Sequence, residues 1–132
     1  MRFLSFVVDT NVLIEIEKNN KKILSKLEEL GTAKGDICIT SPTYAEFYFG
    51  LLKISGERFS QEKERLDKYK LLNTSKNSSK LLAEIKHNLS KTGVIIPIFD
   101  LFIASIAMDS RMPLVTLDFH FKRISHLNVI LI

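Results

Sequence analysis

An α/β fold of three layers, with a small, mostly parallel central sheet between helices, is what the sequence predicts, and three observations predict it. Four short runs are almost wholly apolar: Phe3 to Val8 (FLSFVV), Asp36 to Thr40 (DICIT), Pro113 to Leu117 (PLVTL) and Asn128 to Ile132 (NVILI). Strands covered on both faces read in this way, whereas a half-exposed sheet alternates apolar with polar residues. Segments of helical periodicity lie between the runs, and strand alternating with helix is the pattern of a parallel sheet with crossover helices. Finally, 132 residues, 45% of them apolar, suit one core, and no repeat, low-complexity block or Pro/Gly-rich linker divides them, so a single domain over residues 1–132 is expected.

Taken in order, the first strand breaks into the polar trio Asp9-Thr10-Asn11 before the chain re-enters the core as a helix beginning VLI. Ile23, Leu24, Leu27 and Leu30 form the stripe of a second helix, closed by Gly31 where a left-handed residue is wanted. After DICIT, Ser41-Pro42 reads as an N-cap followed by a first-turn proline, and Tyr44, Phe47, Tyr48, Leu51 and Leu52 share one face of the helix it starts. Leu81, Leu82, Ile85 and Leu89 make a further stripe ending before Gly93. From about Asp100 to Ser110 the chain is apolar almost all round, as expected of a buried helix.

Cys38 is the single cysteine, which excludes a disulfide framework and a cysteine-based zinc site and agrees with a reducing, cytoplasmic setting. Asp9 cuts the N-terminal apolar stretch too short for a signal peptide, and no segment approaches the roughly 18 apolar residues of a membrane span. The net charge is +4, but Lys53 to Lys91 holds ten basic and five acidic residues, so this third alone carries +5. Such asymmetry suits a polyanion such as nucleic acid. Solvated helix faces account for it more simply.

In doubly wound sheets the ligand crevice lies beyond the carboxyl ends of the strands, so acids at strand ends are the candidates. Asp9 follows the first strand and Asp118 follows PLVTL. Either could equally be a turn or N-cap acid. Asp100 opens the buried helix in line with Ile103, Ala104 and Ala107, which aims it inward; a first-turn acid complementing the helix dipole is the simpler role. Periodicity places Glu46 opposite the Tyr44, Tyr48 and Leu51 stripe, so it is either a solvated glutamate or, given Ala45 and Phe49 beside it, part of a cleft wall. Four carboxylates in one crevice would repel and take up protons unless a cation neutralised them. Oxygen donors without thiolates or paired histidines favour Mg²⁺ or Mn²⁺ over zinc. His87, His120 and His126 show no ligand spacing and read as ordinary surface or packing residues. No phosphate-binding glycine loop and no serine-nucleophile elbow is present. A basic protein with an acidic crevice therefore fits metal-dependent phosphodiester hydrolysis.

The segments FVVDTNVLIEI, SPTYAEFYFGLL, IPIFDLFIASIAM and PLVTLDFHFKRI, in this order, resemble PIN-domain proteins, and among them the VapC-type toxin ribonucleases. The resemblance spans nearly the whole chain and implies an α/β/α fold and Mg²⁺- or Mn²⁺-dependent RNA cleavage. It also implies that Asp9, Glu46, Asp100 and Asp118 are the catalytic, metal-holding acids, with Asn11 and Thr116 as supporters that orient them. Relatives often carry Asn where Asp118 stands. Toxins of this kind commonly dimerise and are silenced by a small antitoxin whose tail occupies the active-site groove, which would give the aromatic surface of AEFYFGLL a second role beside core packing. Two other readings remain: an RNA-processing nuclease without a toxin role, and a catalytically silent RNA- or protein-binding module. A phosphatase with Asp9 as nucleophile is disfavoured, because that chemistry commonly wants a second acid where Asn11 stands.

Overall fold

The computed structural model describes residues 5–31 and 36–132. Its elements are β1 (Phe6–Val8), α1 (Thr10–Glu17), α2 (Lys21–Glu29), β2 (Ile37–Thr40), α3 (Ser41–Leu51), α4 (Gly56–Asp67), β3 (Lys70–Leu72), α5 (Lys76–Ser90), α6 (Ile98–Asp109), β4 (Leu114–Thr116) and β5 (Val129–Leu131). A 3₁₀ turn, Phe119–Arg123, joins the last two strands. The five strands form one sheet in the order β3-β2-β1-β4-β5, and every pairing is parallel. Residues Phe3 and Leu4 of the first expected strand lie outside the described residues.

The alternation of side chains along each strand sorts the core into two halves. Phe6 and Val8 of β1, Ile37 and Ile39 of β2 and Val115 of β4 face one way, against Val12, Leu13, Ile16, Ile23, Leu27, Leu51 and Leu66. Val7, Cys38 and Leu114 face the other, against Ile85, Leu89, Leu101, Ile103, Ala104, Ala107 and Phe121. Strands β1, β2 and β4 are thus apolar on both sides for separate reasons, and α1 to α4 cover one face while α5 and α6 cover the other. Among the described residues no helix is long and apolar enough to cross a membrane.

Local chemistry sets the helix ends. Asn20 caps α2 by accepting from the N–H groups of Lys22 and Ile23, and Gly31, at φ +82°, takes the left-handed conformation after its last turn. Ser75 and Ser78 form a reciprocal capping box on α5. The expected cap of α3 is displaced by one residue: Thr40, not Ser41, accepts from Thr43 N–H, because the strand runs to Thr40 in extended conformation and Ser41 is already helical.

Two elements go beyond the sequence reading. Helix α4 buries only Leu66 and carries the side-chain pairs Arg58–Glu62 and Lys63–Asp67 along its solvent side. It is fastened to α1 through Glu17, which accepts from Tyr69 Oη at 2.5 Å and Arg65 Nε at 2.9 Å. Strand β3 is a short edge strand with Lys70 and Leu71 exposed.

Candidate active site

The strand order dictates where a site can form. From β1 the chain winds outward through β2 to β3, then crosses to β4 on the opposite side of β1 and continues to β5. The direction of winding therefore reverses between β1 and β4, and a crevice opens beyond their carboxyl ends. Asp9 is the first residue after β1, and Asp118 comes two residues after β4. Asp100 enters from the first turn of α6 and Glu46 from the second turn of α3. All four carboxylates line one cleft of about 270 Å³, together with Thr10, Asn11, Pro97, Phe99 and Phe121. A larger hollow of about 580 Å³ beside α5 and Ile124 contains none of the four.

Asp9 is the deepest, at 3% exposure. It caps α1, its Oδ1 accepting from Val12 N–H at 3.0 Å, and its Oδ2 accepts from the Thr116 hydroxyl. The same hydroxyl oxygen accepts from the backbone N–H of Asp118 at 2.9 Å. Thr116 thereby couples the two strand-end acids. Burial raises the pKa of Asp9; the bonds from Thr116 and Val12 oppose that rise, and the nearby charges of Asp100 and Asp118 add to it. Asp9 is thus the N-cap of α1, one oxygen starting the helix, and it also lines the cleft.

Glu46 is exposed yet fixed, its Oε1 accepting from Thr10 Oγ1 at 2.7 Å. A hydroxyl has one proton, and a carboxylate can only accept, so the Thr10 proton goes to Glu46. The contact of 3.1 Å between Thr10 and Thr43 Oγ1 is then filled by the Thr43 proton, and the contact of 3.3 Å between Thr43 and Thr40 by the Thr40 proton. Three hydroxyls at the ends of β1 and β2 thus point one after another toward Glu46. Sequence reasoning missed Thr10, Thr40 and Thr43, although Thr43 and Glu46 lie one helical turn apart.

His120 is the largest correction. It is not an ordinary surface residue: its Nδ1 lies 2.6 Å from Asp118 Oδ1 and its Nε2 3.1 Å from Asp100 Oδ2. Its backbone N–H donates to the same Asp118 oxygen at 3.1 Å. Burial raises the pKa of Asp100, His120 opposes the rise, and the charges of Glu46 and Asp118 reinforce it. His87 and His126 are exposed. Asn11 is also exposed; it lines the cleft but, among the described residues, no hydrogen bond joins it to any of the four acids.

Four hard oxygen donors, no thiolate, and neighbouring charges that help raise the pKa of Asp9 and Asp100 make a donor set suited to a hard divalent cation. Among the described residues no three such side chains yet converge tightly enough to enclose an ion, and His120 sits between two of the four. The chemistry of the residues fits the group.

The sequence pattern described as PIN domain matches residues 6–127. Ribonuclease VapC3 of Methanocaldococcus jannaschii is 37% identical over 100 residues, covering 76% of this chain and 95% of that protein. Ribonuclease VapC2 of Haemophilus influenzae is 28% identical over 115 residues, covering 86% of each. Among solved structures, VapBC2 of Rickettsia felis, bound to a DNA fragment from its promoter, superposes with a TM-score of 0.81 at 27% identity, covering 98% of this chain and 99% of that one. VapBC-1 of nontypeable Haemophilus influenzae gives a TM-score of 0.82 at 25% identity, covering 97% and 98%.

Proposed function

Because the chain belongs to the PIN-domain family, we propose that it is an endoribonuclease that hydrolyses RNA phosphodiester bonds and serves as the toxin of a toxin–antitoxin pair. The observation that carries this reading is the meeting of Asp9, Glu46, Asp100 and Asp118 in one cleft at the β1/β4 switch point. The relatives named as ribonucleases and the neighbours solved as VapBC complexes support it. RNA is the substrate, a small antitoxin the silencing partner and a homodimer the working form. A silent binding module would gain nothing from a repulsive cluster of carboxylates.

The cofactor would be Mg²⁺ or Mn²⁺, and Asp9, Asp100, Asp118 and Glu46 are the residues that would hold it. Bound there, it would supply Lewis acidity to lower the pKa of a water and offset charge on the phosphate. The protein's own part is preorganisation. Val12 N–H and the Thr116 hydroxyl hold Asp9 rigidly at the strand end, and the Thr116 oxygen holds the backbone that carries Asp118. The hydroxyl chain fixes Glu46 across the cleft. Phe99 and Phe121 form apolar parts of its lining and strengthen electrostatic interactions within it.

Incubation with RNA in Mg²⁺ or Mn²⁺, followed by mapping of fragment 5′ ends, should give cleavage that disappears with a chelator and returns when cation is restored. Cutting that is indifferent to chelation overturns the metal assignment. Growth arrest on expression, relieved by Asp9→Asn, tests the toxin role; growth unchanged by the active chain would leave an RNA-processing nuclease as the better reading.

Thr116→Val removes a buried hydroxyl that donates to one acid and accepts from the backbone of another. The shape is kept, but Asp118 N–H and Asp9 each lose a partner, so a loss of about 1–3 kcal/mol is expected. Cation affinity should fall about ten-fold or more, because ligating carboxylates depend on such support. Thermal unfolding with chelator and calorimetric Mn²⁺ titration measure the two effects separately.

A further inference from the structure

We propose that His120 is a positioning residue whose imidazole ties Asp100 to Asp118 and sets the separation of these two carboxylates for cation binding. The inference rests on the cleft being a divalent-cation site and adds to it a residue outside the four acids.

The two acids come from different elements: Asp100 from the start of α6, Asp118 from the turn after β4. They share a cleft with two further carboxylates, so like charge drives them apart. The imidazole lies between them, with Nδ1 at 2.6 Å from Asp118 and Nε2 at 3.1 Å from Asp100, the second a close charge contact whose angle falls outside hydrogen-bond geometry. Two nitrogens on one rigid ring let a single side chain touch both carboxylates and fix the angle between them; a lysine would supply charge without that geometry.

The ring itself is held. Its own backbone N–H donates to Asp118 Oδ1 at 3.1 Å, and the ring rests against that of Phe121, centroids 4.6 Å apart. Phe121 is in turn locked in the core at 1% exposure. Each carboxylate meets His120 through one oxygen, Oδ2 of Asp100 and Oδ1 of Asp118. Among the described residues no hydrogen bond engages the other oxygen of either, so both remain for a cation. Groups that orient ligating carboxylates in this manner typically account for about 10- to 100-fold in metal affinity.

The test is calorimetric titration of Mn²⁺ into the wild type, His120→Ala and His120→Phe, with thermal unfolding in chelator recorded for each. His120→Phe keeps a ring against Phe121 but has no nitrogen, so it separates bridging from packing. Both variants are expected to bind Mn²⁺ about 10- to 100-fold more weakly. Wild-type affinity in His120→Phe would reduce the residue to packing and overturn the proposal. Unchanged or tighter binding in His120→Ala would overturn it too, the latter by showing that the imidazole competes with the cation. Should one variant fail to fold, the other still decides. A wild type that binds no Mn²⁺ would instead remove the cation reading of the cleft, and the proposal with it.

Discussion

Asp9→Asn is expected to lower RNA cleavage on the order of 10³-fold or more, the range of losses for essential catalytic side chains, while leaving the fold at least as stable. The two effects have one origin. Asp9 is buried at 3% exposure beside Asp100 and Asp118, and burial chiefly raises its pKa. A carboxyl whose pKa is raised on folding contributes its stability below the unfolded-state value, and that contribution is lost as pH climbs through the folded-state value. Ionisation of Asp9 above its folded-state value therefore costs stability unless a cation is present. Asparagine keeps the acceptor for Val12 N–H, and its amide can donate to the Thr116 hydroxyl oxygen; the Thr116 proton loses its acceptor, a smaller cost than that of the buried charge, so the shape survives while the charge disappears. In chelator the variant should melt above the wild type at pH 7.5, and the gap should shrink as the pH is lowered through the folded-state value. Persistent cutting by Asp9→Asn would remove Asp9 from the catalytic set. A variant that melts below its parent at pH 7.5 would contradict the account of its burial.

How much of this was legible in the residues differs by element. The four apolar runs could be read as doubly covered strands because each places side chains in both core halves, Phe6 and Val8 on one side and Val7 on the other. Helix α4 left no such trace: with Leu66 alone buried, it is held by charge pairs along its surface and by the Glu17, Arg65 and Tyr69 cluster, none of which produces an apolar period. The excess basic charge of that region does not come from this helix, which holds three basic and four acidic residues; it lies in Lys68 to Lys91, with six basic residues and one acidic. Strand β3 was hidden for a related reason, since a three-residue edge strand with two exposed residues carries almost no pattern.

At the site, strand-end logic brought Asp9 and Asp118 together, because position after a strand is a topological fact that sequence can express. Glu46 could not be resolved by periodicity, and both alternatives turn out to describe it: it is exposed and it lines the cleft. His120 escaped because metal-ligand spacing was the wrong test for it. Its partners are carboxylates rather than an ion, and Asp100 is brought to it only by the packing of α6 against the sheet. A histidine two residues after a strand-end acid was the available signal.

Phe121→Ala should be the most damaging single truncation near the site. The ring is 1% exposed and packs in the core half containing Leu101, Ile103, Leu114 and Ile124, while also lining the cleft. Emptying such a position costs about 3–5 kcal/mol, because the neighbours close the cavity only in part. Against a total stability of about 5–15 kcal/mol, that is a large share, and Tm should fall by roughly 10–20 °C. The site should suffer beyond the loss of fold, since the ring braces His120 and the 3₁₀ turn that Asp118 caps. Cation affinity should therefore drop even at temperatures where the variant remains folded. Phe119→Ala, two residues earlier, removes a ring that is 66% exposed and should change stability by no more than about 0.5 kcal/mol. Melting curves for the pair, recorded in chelator, decide the matter: equal losses would mean that the turn is anchored by its backbone, and a loss confined to Phe121→Ala would mean that the buried ring anchors it.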